Sequence, residues 1–173
     1  MGYELTKYST LDRQNGFKPD DHNLVFVGGN YDFGVAKVFA EAQYFSGAQA
    51  VFGTPSEAFE LGEKKINVTT EKGFTGYGLH LGTVAPIGGN GELCVGLYYV
   101  DTTLEDVVEA AGKDVDGQYF GLAARYGYQL SERTKIYVGG GYAEASLDKY
   151  KAGQTNDLEE KVGNVYVGLA HTF

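Results

Sequence analysis

The chain has little of several residue types, and each shortage excludes a class of protein. Its 173 residues include no tryptophan, one methionine, three prolines and one cysteine, Cys94, so an internal disulfide framework is excluded. No run of about 18 apolar residues is present, which excludes a transmembrane helix. The first residues lack a basic start and an apolar core, so no signal peptide is expected, and the chain is expected to be a mature form or part of a longer protein.

Basic residues are also few, 14 against 23 acidic ones, and the net charge is -9. Nucleic-acid phosphates would repel such a chain, so no nucleic-acid partner is expected. Glycine and aromatic residues are abundant, with 26 Gly, 14 Tyr and 10 Phe. Glycine and aromatic residues are unfavourable in helices, whereas Tyr, Phe and Val are favoured in strands. The composition therefore predicts an all-β fold.

Apolar and polar residues alternate at period two in repeated blocks from about residue 23 onward, the pattern of half-buried strands. The last block is the clearest, because one face carries Val165, Val167, Leu169, His171 and Phe173, and the other carries small or polar residues. Similar blocks span residues 35–45, 75–83, 92–99 and 118–130, and weaker ones span 2–9, 24–33 and 134–146. The chain is therefore predicted to have about eight strands.

Connections between these blocks alternate in length. Short ones lie at residues 32–34, 86–91 and 131–133, and long ones span about 10–22, 46–73, 102–116 and 147–161. Short turns at one end and long loops at the other are typical of an up-and-down barrel in an outer membrane. Residues 1–173 are therefore predicted to form a single transmembrane antiparallel β-barrel domain, or part of one.

Charged and polar residues on the strand faces opposite the apolar ones are candidates for a pore lining. They are Lys37, Glu41, Gln43, His80, Arg125 and Lys135. In a membrane barrel the polar face is the interior, so these side chains would line water or pair with one another. In a soluble sandwich they would simply face solvent.

No catalytic or metal site is expected. The three histidines, His22, His80 and His171, are scattered along the chain and have no metal-ligand spacing. The glycine clusters at 88–91 and 139–141 are not followed by the Lys-Ser/Thr of a phosphate loop. The chain is therefore predicted to be a protein without enzymatic activity, cofactor or metal.

Three segments near the C-terminus carry a family resemblance: residues 123–134, 137–142 and 167–173. They resemble the closing strands of general Gram-negative porins, most strongly over about residues 120–173. The resemblance implies a location in the bacterial outer membrane and contact with its lipid and lipopolysaccharide. It also implies that the barrel assembly machinery recognises the terminal aromatic pattern, which comprises Val165, Val167, Leu169, His171 and Phe173.

Porins of this kind have about 16–18 strands around an aqueous channel, so the chain resembles the C-terminal half of such a barrel. The leading hypothesis is a channel for passive diffusion of small hydrophilic solutes and ions, formed by a homo-oligomer. The alternative is a closed eight-stranded barrel with a structural or adhesive role through its loops. In either case the acidic long loops would share divalent cations with lipopolysaccharide. A third hypothesis is a soluble β-sandwich.

Overall fold

A computed structural model of the protein describes residues 1–8, 20–48, 50–51, 54–55, 59–61, 64–66, 70–149 and 155–173. Eight antiparallel strands form one sheet in which each strand pairs with the next along the chain. The strands are β1 (Gly2–Thr6), β2 (His22–Asp32), β3 (Lys37–Ala48), β4 (Thr70–Ile87), β5 (Gly91–Val107), β6 (Lys113–Ser131), β7 (Thr134–Leu147) and β8 (Leu158–His171). The predicted all-β, up-and-down arrangement is confirmed. Within the described residues the sheet is open, because β1 and β8 lie at its two edges.

Three tight turns connect strands at one end of the sheet, which we call the turn end. They lie at residues 33–36, 88–90 and 132–133. Gly34 and Gly88 have φ values of 82° and 65° there, a left-handed conformation that glycine adopts without steric cost. The carboxylate of Asp32 accepts a hydrogen bond of 2.8 Å from the Gly34 amide and so closes the first turn.

The opposite end, which we call the loop end, has longer strands than the sequence pattern predicts. The β5–β6 ladder continues from Val115 opposite Leu104 to Lys113 opposite Val107, so residues 108–112 alone connect these strands, and they include a 3₁₀ helix, Val108–Ala110. Two short hairpins, Ala50–Val51 with Thr54–Pro55 and Phe59–Leu61 with Lys64–Ile66, lie between β3 and β4. Much of the loops predicted at 10–22, 46–73 and 147–161 lies outside the described residues.

The register of the ladders separates two faces of the sheet. Lys37, Val84, Cys94 and Arg125 lie opposite one another on four neighbouring strands, and we call their side of the sheet the polar face. On the other side, the apolar face, Ala40, Leu81, Leu97 and Leu122 form the corresponding row. Leu81 is 49% exposed and Leu122 40% exposed, so this face presents apolar side chains to its surroundings.

The buried core lies at the loop end of the polar face. Phe45, Phe74, Leu104, Val115 and Leu147 pack together there, and Val107 is fully buried among them. The side chains of the polar face are therefore small or polar only toward the turn end. The alternation of apolar and polar residues in the sequence does not distinguish this half of the face from the loop-end half. The core covers the polar face at the loop end of the sheet and leaves its turn-end half uncovered.

Candidate functional site

All six residues predicted to line a pore share the polar face. Lys37, Glu41 and Gln43 alternate along β3, and the ladders align them with His80 on β4, Arg125 on β6 and Lys135 on β7. The structure does not bring the six together at one point. It divides them into a charged group near the turn end, a row in the middle of the sheet, and Lys37 by itself.

The charged group near the turn end is centred on Glu92. Its Oε1 lies 3.3 Å from Lys135 Nζ and 4.0 Å from Arg125 Nη2. The thiol of Cys94 lies 3.7 Å from the same oxygen, and Arg125 Nη2 lies 3.8 Å from Cys94 Sγ. The three charged side chains are 32–46% exposed, so their ion pairs contribute little to stability. They fix the position of one anionic and two cationic groups on the face.

The middle row crosses three strands. Glu41 on β3 lies opposite His80 on β4, and His80 lies opposite Tyr98 on β5. The imidazole of His80 stacks on the Tyr98 ring with centroids 4.5 Å apart and an interplanar angle of 7°. A groove of about 330 Å³ runs along this row and continues past Gln43 and Tyr119.

Lys37 lies apart from the other two cations. Its Nζ lies 5.3 Å from the centroid of the Phe39 ring two residues along β3, a cation–π contact. Val84 and Cys94 occupy the register positions between Lys37 and Arg125. The positive charges of the polar face are therefore distributed across the sheet rather than clustered.

Small residues separate these groups on the polar face. Gly82, Gly96, Ala123 and Gly141 lie opposite one another on β4 to β7. Gly82, Gly96 and Ala123 line a hollow of about 260 Å³ that is bordered by aromatic rings and Arg125. In a sheet that packs against another layer, such positions would carry large apolar side chains. The turn-end half of the polar face is instead thinly covered.

The apolar face has aromatic rings along both margins. Those toward the loop end are Tyr44, Tyr77, Tyr99 and Phe120, and those toward the turn end are Tyr31, Tyr126 and Tyr128. On β6 the apolar stretch covers residues 120–130. Its length agrees with that of a strand that crosses a bilayer, which needs about 9–11 residues. Charged residues of this face begin at the same level, where Asp101 lies opposite Tyr77 and Glu144 lies opposite Phe120. Lys161 lies opposite Glu144, and Asp116 lies farther toward the loop end on β6.

None of the helices in the described part of the chain is long and apolar enough to span a membrane. Among the residues that the structure describes, no group of three or more His, Cys, Asp or Glu side chains is arranged to hold a metal ion. The polar face thus combines one group of paired charges, single charged side chains, aromatic rings and small residues.

A family model described as Gram-negative porin matches residues 2–149. The chain belongs to the Gram-negative porin family. No curated protein and no solved structure matches it. The match extends the resemblance to the N-terminal strands and leaves residues 150–173 outside. The porin is an outer-membrane protein, and its strands belong to a transmembrane β-barrel.

The five residues predicted to form an assembly signal lie at the end of the porin chain. Val165, Val167, Leu169 and His171 share the apolar face of the edge strand β8, where Val165 and Val167 are 84% and 81% exposed. The Phe173 ring follows β8 and meets the His171 ring edge to face at 5.0 Å. Because the family match ends at residue 149, their role in assembly stays a prediction.

Sequence reasoning did not select several porin residues that belong to the polar face. Glu92 binds both Lys135 and Arg125, and Tyr98, Tyr137 and Tyr166 place rings on the same face. The position of each of these residues in its alternating block was enough to predict that its side chain lies on the polar face. The residues that they contact depend on the register between strands, which the alternation does not specify.

Proposed function

We propose that the chain forms a porin-type channel in which the polar face lines an aqueous lumen and small hydrophilic solutes and ions diffuse passively. Transport needs no cofactor, metal or covalent step. Lys37, Glu41, Gln43, His80, Arg125 and Lys135, together with Glu92, set the field inside the lumen and hence its ion preference.

The thin cover on the turn-end half of the polar face is the observation that carries this proposal. A closed eight-stranded barrel has an interior that its side chains just fill. Here the row of Gly82, Gly96, Ala123 and Gly141 offers almost no volume to fill such an interior. The same row suits the wall of a wider, water-filled barrel, so the channel is favoured over the closed structural or adhesive barrel.

The open edges of the sheet support closure by a second copy of the chain. β1 and β8 are its edge strands, and in hydrocarbon each unpaired backbone group costs several kcal/mol, so membrane sheets are closed. Two copies would contribute the about 16 strands of a barrel with an aqueous channel. Native mass spectrometry of the folded protein in detergent should find two or more chains per particle; a stable monomer would contradict this closure.

Lipopolysaccharide fits the loop end of the apolar face as a partner. Asp101 and Glu144 lie on this face level with the aromatic margin, and Asp116 lies farther toward the loop end. Aromatic girdles mark the membrane interfaces of outer-membrane barrels, so these carboxylates would lie near the lipid phosphates. Carboxylates and phosphates share divalent cations as oxygen ligands. Folding and insertion of the chain would depend on the barrel assembly machinery, as the terminal aromatic pattern predicts.

The channel itself is tested by conductance. The full chain, refolded in detergent and added to a planar lipid bilayer, should give stepwise ohmic currents that saturate only at high salt. A heat-denatured sample of the same preparation is the control. Folded protein that inserts but never conducts above the bare bilayer would contradict the proposal and favour the closed barrel.

A further inference from the structure

Six rings on the polar face lean over a glycine, so that the edge or tip of each ring lies beside the position of the missing Cβ. Tyr98 covers Gly96, Tyr119 covers Gly121 and His80 covers Gly82 on their own strands. Across ladders, Phe26 covers Gly2, Tyr166 covers Gly139 and Tyr137 covers Gly168. A Cβ placed on Gly96 would lie 3.2 Å from the Tyr98 ring, and one on Gly121 would lie 3.1 Å from the Tyr119 hydroxyl. A Cβ on Gly168 would overlap the Tyr137 ring.

Three of the proposed pore-lining side chains follow the same rule. Glu41 lies over Gly28, Gln43 over Gly78, and Lys135 over Gly127. A Cβ on Gly28 would lie 3.3 Å from the Glu41 side chain, and one on Gly78 would lie 2.8 Å from the amide nitrogen of Gln43. Long side chains of the polar face are therefore laid along the wall in glycine recesses.

Two glycines of the apolar face lack such a cover. A Cβ on Gly29 would meet nothing within 4 Å, and one on Gly163 would meet only a backbone oxygen at 3.7 Å. A Cβ on Gly91, at the turn end of the same face, would by contrast lie 2.5 Å from the Tyr126 hydroxyl. The recesses are therefore concentrated on the polar face.

The physical consequence concerns how far each ring projects. Side chains on a strand normally stand roughly perpendicular to the sheet, so a tyrosine would reach away from the wall by the length of its ring. A neighbouring glycine removes the Cβ that would keep the ring upright, so the ring tips along the wall and its edge approaches the exposed backbone, in the way that aromatic residues fill the space over glycines in other sheets. Its projection from the sheet is therefore shorter than that of an upright ring.

We propose that these glycine recesses set the calibre of the lumen. Gly96, Gly121, Gly139, Gly168 and Gly82 let large side chains line the channel without obstructing it, and each is a calibre-determining residue. The inference rests on the proposed channel function and deepens it, because it names what keeps the pore open.

Gly168→Ala is the sharpest test, because the three atoms nearest to its Cβ all belong to the Tyr137 side chain. The full chain carrying this substitution should lose part of its single-channel conductance, because Tyr137 is pushed into the lumen. Adding Tyr137→Ala should restore the conductance to that of Tyr137→Ala alone. Gly163→Ala on the same strand is the matched control and should conduct like the wild type. Gly96→Ala, whose milder contact a small ring movement relieves, repeats the test if Gly168→Ala does not fold.

A conducting wild type whose conductance neither Gly168→Ala nor Gly96→Ala lowers would overturn the calibre inference while leaving the channel intact. A wild type that never conducts would instead contradict the channel on which the inference rests. The ring geometry has its own readout in detergent micelles. The Hα resonances of Gly168 and Gly96 should carry ring-current shifts from Tyr137 and Tyr98, and those of Gly163 should not; resonances without such shifts would overturn the recesses themselves.

Discussion

Glu92 shows how one side chain organises the charge of the polar face. Its carboxylate lies between Lys135 and Arg125 and so offsets part of two positive charges at the turn end of the sheet. Screening is weak inside a narrow lumen with low-dielectric walls, so the field there follows the sum of the fixed charges. The position of Glu92 therefore bears directly on ion preference.

Glu92→Gln should make the channel more selective for anions, because it removes the negative charge between the two cations. The reversal potential in a salt gradient, measured on single channels, should move toward the equilibrium potential of the anion. Glu132→Gln in the exposed turn after β6 is the control and should leave the reversal potential unchanged. Stability should change little, since exposed ion pairs contribute about 0.2–1 kcal/mol. A shift toward cation preference would contradict the assignment of this face.

At the scale of single residues, the sequence predicted which face of the sheet a side chain occupies but not which side chain it contacts. Alternation along β3 put Lys37, Glu41 and Gln43 on one face, because side chains on a strand alternate strictly. The bond from Lys135 to Glu92 was not predictable, since it depends on the β5–β6 and β6–β7 registers acting together. The rings over Gly139 and Gly168 were also missed, because these glycine recesses require knowledge of which residue lies across the ladder.

The strands act as crossing elements through their apolar face. On β4, Leu79 and Leu81 are both 49% exposed, and they lie between Tyr77 toward the loop end and Ile87 toward the turn end. An exposed leucine row of this kind is stable only against lipid or another apolar surface. The neighbouring position on the same strand, His80, faces the other way.

Leu81→Arg should destabilise the folded barrel by about 2–4 kcal/mol, the cost of a basic residue on the lipid face near the bilayer midplane. Denaturant unfolding of the protein in lipid vesicles measures this cost. His80→Arg, one residue away on the polar face, should cost less, about 0.5–1.5 kcal/mol for the lost stacking on Tyr98, and change the conductance instead. Equal destabilisation by the two substitutions would contradict the assignment of the faces.

The second prediction for the strands concerns Phe173, which lies two residues beyond the end of the edge strand β8. Deleting Phe173 should lower the amount of protein in isolated outer membranes far more than it lowers the stability of barrel folded in vitro. Interfacial burial of one ring contributes only about 1.5–3 kcal/mol, whereas loss of an assembly signal removes most of the protein. Yield is measured in membranes and stability by unfolding of the refolded chain; equal yields of the truncated and full-length chains would sink the assembly role.

At the scale of the whole molecule, topology was predictable and the extent of the elements was not. Eight strands with short turns at one end follow from the alternating blocks and the turn residues at 32–34, 86–91 and 131–133. The extension of β5 to Val107 and the core around Leu104 and Leu147 did not follow, because polar residues such as Asp101 and Thr103 interrupt the apolar pattern there. Closure of the sheet depends on what pairs with β1 and β8, and single-chain periodicity carries no information about that partner.

The family and the two faces lead to one central claim, that the polar face lines an aqueous lumen. Cys94, the single cysteine of the chain, lies on this face beside Arg125 and Glu92 and is a native probe of it. A water-soluble, membrane-impermeant methanethiosulfonate reagent applied to open wild-type channels in a planar bilayer tests the claim directly. The account predicts a stepwise fall in conductance that a thiol reductant reverses, with Cys94→Ser channels unaffected. Wild-type channels that keep their full conductance, while the same reagent labels Cys94 completely in denatured protein, would contradict it.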